Sequence, residues 1–134
     1  MDAGPLYAYV DADDAHHAAS LDLLQHHVGL LLVPVLVVTE VAYLLATRLG
    51  ASAEVRFLGD MASDAPTPVE VEPADWLRMA ALVARYADIA LGTVDASVVA
   101  AAERLGIGTI ATLDRRHFAA VRPSHVESFV LVPD

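Results

Sequence analysis

Apolar runs short enough to be buried strands alternate with helix-patterned segments from one end of this chain to the other, and no linker, repeat or low-complexity stretch interrupts them. Pro5 to Val10 reads as a short helix. Asp14 to His27 reads as an amphipathic one, with Ala15, Ala18, Leu21, Leu24 and Val28 near helical spacing and Gly29 as its stop. Leu30 to Val33 is a strand candidate, and Pro34 suits the opening of a helix that runs to about Leu49 and stops at Gly50. Ser52 is placed to cap the next helix, which reaches about Ala62. Then come a strand at Thr67 to Val71 and a helix from Pro73 to about Tyr86, with Trp76, Met79, Leu82 and Val83 at core spacing. A helix opening at Thr93 or Asp95 ends at Gly106. After it follow a strand at Thr109 to Leu113, a short helix at Arg115 to Ala120 and a last strand at Ser128 to Val132. Strands separated by helices require crossover connections, which means a parallel sheet covered on both faces. Sites in such folds form beyond the carboxyl ends of the strands.

Against that frame, Asp2, Glu40, Asp95 and Asp114 stand out, because each lies in or beside an apolar segment. Glu40 interrupts the run Val35 to Leu45. Asp95 stands between Leu91-Gly92-Thr93-Val94 and Ala96-Ser97-Val98-Val99, and Asp114 ends the run Thr109 to Leu113. An unpaired carboxylate is costly to bury. A fold that gathers these acids around a shared cation is the most economical explanation of all of them together. Each acid also has an ordinary explanation taken alone. Glu40 suits a pairing with Arg48, Asp95 suits the first turn of a helix, Asp114 suits a turn after a strand, and Asp2 is close to a terminus.

Composition narrows the classes. A chain of 134 residues fits one domain with one core. The apolar fraction of 56% is high, which points to a partner interface in addition to a core. No stretch reaches the roughly 18 uncharged apolar residues of a membrane span, and no basic segment opens the chain. Cysteine is absent, which removes thiol nucleophiles, disulfides and Cys-zinc sites and fits a cytoplasmic protein. All 8 basic residues are arginine, so a Walker P-loop, which needs its lysine, and a phosphate-receiver domain are both disfavoured. A net charge of -10 argues against a passive nucleic-acid binder and is compatible with divalent cations or a basic partner.

Four ordered motifs now carry a resemblance: Asp2-Ala3-Gly4-Pro5-Leu6, Thr39-Glu40-Val41, Leu91-Gly92-Thr93-Val94-Asp95-Ala96-Ser97 and Thr112-Leu113-Asp114-Arg115-Arg116-His117-Phe118. In this order and spacing the chain resembles the PIN-domain ribonucleases, and among them the VapC-type toxins of bacterial toxin–antitoxin pairs. The resemblance covers essentially the whole chain, as one domain over residues 1–134. It implies a three-layer α/β/α fold with a central, mainly parallel sheet. It also implies a carboxylate site for Mg²⁺ or Mn²⁺, endonucleolytic cleavage of RNA, a homodimer, and inhibition by a cognate VapB-like antitoxin. The chain departs from the family pattern in two places. Almost no residues precede Asp2 to build a first strand, and Ala3 replaces the hydroxyl residue that often follows the first Asp.

The expected site therefore consists of Asp2 and Asp95 as main metal contacts, completed by Glu40 and Asp114. Thr112 and Ser97 are expected to hydrogen-bond the carboxylates. Arg115, Arg116, His117 and Arg122, the only basic cluster, are expected to hold RNA phosphates. Leu36, Val37, Tyr43, Leu44 and Val55, Phe57 and Leu58 form a candidate apolar surface for a second copy or an antitoxin helix. The pairs His16-His17 and His26-His27 split across helix faces and read as solvated, and Asp88 reads as a loop residue. Two rival readings stand beside the nuclease: a PIN-like binding module without catalysis, and a phosphatase built on Asp11 and Asp13.

Overall fold

A computed structural model describes residues 1–63 and 66–134. Its helices are α1 (Ala3–Val10), α2 (His17–His26), α3 (Val35–Arg48), α4 (Ala51–Ala62), α5 (Pro73–Arg85), α6 (Thr93–Leu105) and α7 (Arg115–Ala120). The strands are β1 (Leu32–Pro34), β2 (Thr67–Val69), β3 (Thr109–Ala111) and β4 (Val130–Val132). A single 3-10 turn, Ala87–Ile89, lies between α5 and α6. The order is the alternation the sequence predicts.

The strands pair parallel in two separate ladders. Leu32 lies opposite Thr67 in one and Thr109 opposite Val130 in the other. The first two residues join them. The Met1 ammonium donates to the Leu32 carbonyl at 2.7 Å, and the Asp2 amide donates to the Ala111 carbonyl at 2.9 Å. The missing first strand is thus reduced to a two-residue seam between β1 and β3. Burial lowers the Met1 ammonium to about 6, and the charge of Asp2 opposes that shift. An apolar cavity of about 230 Å³, lined in part by Met1, Leu32, Val98, Ile110 and Ala111, opens beside the seam.

The helices cover this frame. Val37, Val41 and Leu45 repeat every four residues along α3 and are fully buried. Helix α6 is buried all round from Ala96 to Ala102, because every side chain in that run is small and, Ser97 apart, apolar. Its end is set by Gly106, whose φ of 68 is the left-handed conformation that closes a helix. Helix α5 is clamped to α6 by charge. Arg78 grips Glu103 with Nε and Nη2 at 2.7 and 2.8 Å, and Arg104 donates to Asp75, Glu72 and the Glu70 carbonyl.

Several expectations need correction. Helix α2 begins at His17, three residues late, because Asp11 and Asp14 fold the preceding segment into turns that accept the Asp13, Asp14, His16 and His17 amides. Its predicted stripe is largely solvated: Ser20 is its one buried residue, and Val28 lies beyond the helix end, 95% exposed. Helix α4 starts after Gly50, whose φ of 92 suits glycine, and not at a Ser52 cap. Of the predicted apolar surface, Val37 and Phe57 belong to the core, whereas Tyr43, Val55 and Leu58 are exposed. The strands are shorter than predicted, each reduced to three paired residues.

Candidate active site

Each of the four acids stands at the start of a helix or within its first turns. Asp2 ends the seam and precedes α1, and its Oδ1 accepts the Ala3 amide at 2.7 Å. Glu40 lies in the second turn of α3, flanking the buried stripe between Val37 and Val41. Asp95 is in the first turn of α6, where backbone N–H groups favour a negative charge. Asp114 caps α7, accepting the His117 amide through its side chain at 3.3 Å.

Thr112 ties two of these positions together. Its hydroxyl, fully buried, donates to Asp2 Oδ2 at 2.7 Å and accepts the Asp114 amide at 2.9 Å. Gly4 permits the same closeness on the other side of the seam. A β-carbon there would stand 3.1 Å from the Leu113 β-carbon, so a side chain at position 4 presses directly on the residue that leads into Asp114.

Electrostatics link the remaining acids. Asp2 is 6% exposed. Burial raises its carboxyl above the ordinary range, the charge of Asp95 adds to that, and the bonds from Thr112 and Ala3 oppose it. Glu40 is raised by burial and then by the charges of Asp2 and Asp95. Arg48 does not relieve Glu40; its guanidinium stacks on the Tyr7 ring at 5.1 Å. Asp2, Glu40 and Asp95 therefore share one field of negative charge, with Asp114 joined to it through Thr112 and His117.

His117 departs from the expected phosphate-facing position. Its Nδ1 lies 2.8 Å from Asp95 Oδ2 and 3.2 Å from Asp114 Oδ2. Of the arginines beside it, Arg115 donates to the Pro133 and Leu131 carbonyls and Arg122 to the Ala119 and Val121 carbonyls, while Arg116 is exposed. Ser97 is also a correction. Its hydroxyl donates to the Val94 carbonyl at 2.6 Å, a bond within its own helix, and not to a carboxylate. Asp88 is exposed in the 3-10 turn, and Asp11 accepts from the Tyr7 hydroxyl at the end of α1, away from a strand end.

Among the described residues, no three acidic or histidine side chains form a ready-made metal cage. The donor chemistry nevertheless fits a hard divalent cation. The converging atoms are carboxylate oxygens, which such ions prefer, and the like charges that push Asp2 and Glu40 upward are those a cation relieves.

A family model described as PIN domain matches residues 1–122. Over 133 residues the chain is 38% identical to a protein of Mycobacterium tuberculosis named Ribonuclease VapC26, covering 99% of this chain and 98% of that one. Its fold matches the crystal structure of Mycobacterium tuberculosis VapC20, described as a sarcin–ricin loop cleaving toxin. The TM-score is 0.83 and the identity 22%, over 94% of this chain and 96% of the other.

Proposed function

The chain belongs to the PIN-domain family, with a VapC ribonuclease among its relatives by sequence, and from that premise we propose that it is a metal-dependent endoribonuclease toxin acting as one domain. The observation that carries this reading is the shared field of Asp2, Glu40 and Asp95: Asp2 is raised by burial and the charge of Asp95, and Glu40 by burial and the charges of Asp2 and Asp95. Asp2 and Asp95 would hold Mg²⁺ or Mn²⁺, with Glu40 and Asp114 completing the set. Bound there, the cation supplies positive charge to the phosphodiester oxygens and acidity to a water molecule.

The chain's own residues do the rest. Thr112 holds the Asp2 carboxylate by its hydroxyl and fixes the Asp114 backbone by the same atom. The first turn of α6 holds Asp95 beside that pair, where the helix N-terminus favours negative charge. Arg116, exposed beside Asp114, offers a positive charge to the RNA backbone, and Arg115 and Arg122 extend that stripe. With a net charge of -10, binding leans on the cation and this stripe. Neutralisation by a VapB-like antitoxin and assembly as a homodimer belong to the same reading, and exposed Tyr43, Val55 and Leu58 on α3 and α4 offer apolar contact for such a partner.

A catalytically inactive binding module is the second reading, favoured by the lack of a ready-made cage among the described residues. One experiment separates the two: cleavage of total RNA by purified protein in Mg²⁺ or Mn²⁺ against EDTA, beside Asp95→Asn. Discrete fragments that need both the metal and Asp95 support the nuclease. Intact RNA with a folded, metal-supplied protein supports the binding module.

A further inference from the structure

We propose that His117 is a positioning residue that yokes Asp95 to Asp114, holding Asp95 by its Nδ1–H and Asp114 by its backbone amide. The inference rests on the site reading above and concerns how that site is held. Asp95 and Asp114 come from different helices and carry like charge, so nothing intrinsic keeps them together. The His117 Nδ1 stands between them, 2.8 Å from Asp95 Oδ2 and 3.2 Å from Asp114 Oδ2. The same residue also takes Asp114 by its backbone amide at 3.3 Å. Its ring is enclosed, with 18% of the side chain exposed, against 20% for Asp95 and 47% for Asp114.

The chemistry follows from that geometry. A carboxylate only accepts, so the ring nitrogen beside two of them is the donor and the proton sits on Nδ1. A residue that reads phosphate would point its donor outward, whereas this donor is taken by acids inside the site. The α7 cap sets the direction: Asp114 starts the helix, and a residue three positions later returns over its own cap.

The test uses three variants of the full chain. His117→Asn places an amide N–H near the Nδ1 position, His117→Gln places one near Nε2, and His117→Leu removes both. Mn²⁺ affinity is read by electron paramagnetic resonance of the free ion. RNA cleavage is read as kcat and KM at several salt concentrations, and the ring tautomer of the metal-free wild type by ¹⁵N NMR. Expected are losses of about 10- to 100-fold in Mn²⁺ affinity for Leu and Gln, near-retention for Asn, and an unchanged KM and salt slope. Unchanged Mn²⁺ affinity in His117→Leu overturns the proposal. So does a raised KM with a shallower salt slope, the mark of a lost phosphate contact.

The two readings fail separately. Wild type that binds Mn²⁺ but cleaves no RNA removes the nuclease and leaves the affinity comparison to judge His117. Wild type that binds no Mn²⁺ removes the metal, and the tautomer then decides: a proton on Nδ1 sustains the yoke and a bare Nδ1 refutes it.

Discussion

Replacing Thr112 by valine keeps the shape of a fully buried side chain and deletes one oxygen that makes two bonds. The first bond, to Asp2 Oδ2 at 2.7 Å, has a charged acceptor and contributes about 1.5–3 kcal/mol. The second, from the Asp114 amide at 2.9 Å, is neutral and contributes about 0.5–1.5 kcal/mol. The new methyl group returns up to about 0.8 kcal/mol of apolar burial. The net expectation is a loss of about 2–3 kcal/mol at a pH above the raised Asp2 range, where the first bond is made to an anion. Thr112 also opposes the rise of the Asp2 carboxyl, so the variant raises that group further and the loss shrinks in acid, where Asp2 is neutral. Urea unfolding followed by circular dichroism, at constant slope, measures both effects. Thr112→Ser is the control: it gives up a methyl group but keeps the hydroxyl, and so keeps the wild-type pH profile. A Thr112→Val loss below about 0.5 kcal/mol, or a loss that stays constant from alkaline pH down to the ordinary carboxylate range, would refute the claim that this hydroxyl stabilises an ionised Asp2.

Other consequences are equally direct. Asp2 and Glu40 hold their protons above the ordinary carboxylate range, so the folded chain binds more protons than the unfolded one between those ordinary values and the raised ones. Without metal, their contribution to stability is full below the ordinary carboxylate range and is lost as pH rises through the raised values; saturating Mg²⁺ is expected to flatten that slope in denaturant titrations. Glu40→Gln, at a partly exposed position, is expected to stabilise the metal-free protein by a few tenths of a kcal/mol near pH 7 while cleavage falls at least tenfold. The Met1 ammonium behaves oppositely: lowered from 8.0 to about 6, it makes the unfolded chain the better proton binder between those values. Stability then rises by about 2–3 kcal/mol from pH 6 to pH 8 from this group, and N-acetylated protein compared at both pH values lacks the rise. Arg78→Met leaves the Glu103 side chain, 9% exposed, held by the Ser124 amide and hydroxyl without a counter-charge, at a cost of about 1–3 kcal/mol by urea midpoint. Arg78→Met combined with Glu103→Gln is expected to regain most of it.

The alternation of elements and the positions of Asp95 and Asp114 were legible in the sequence because both depend on local pattern. An acid that interrupts an apolar run at a strand end or helix start is visible without coordinates. Side-chain direction is not. His117 reads as one more member of the basic run Arg115-Arg116-His117, and only the cap at Asp114 turns its ring inward. Ser97 stands two residues after Asp95, but its hydroxyl finds the nearer Val94 carbonyl first. Val37 and Phe57 read equally well as surface or core, since helical spacing marks a stripe without saying what covers it. The signal that could have found His117 is its three-residue spacing from a helix-capping acid.

The seam made by Met1 and Asp2 gives the molecule an unusual coupling between local opening and activity. The backbone bond that joins one half of the sheet to the other is carried by the residue whose carboxylate enters the site. A fluctuation that parts the halves therefore withdraws Asp2 from its companions, with the helices still folded. Amide exchange at Asp2 would report the fraction of molecules disarmed in this way, a population set by a sub-global free energy rather than by that of complete unfolding.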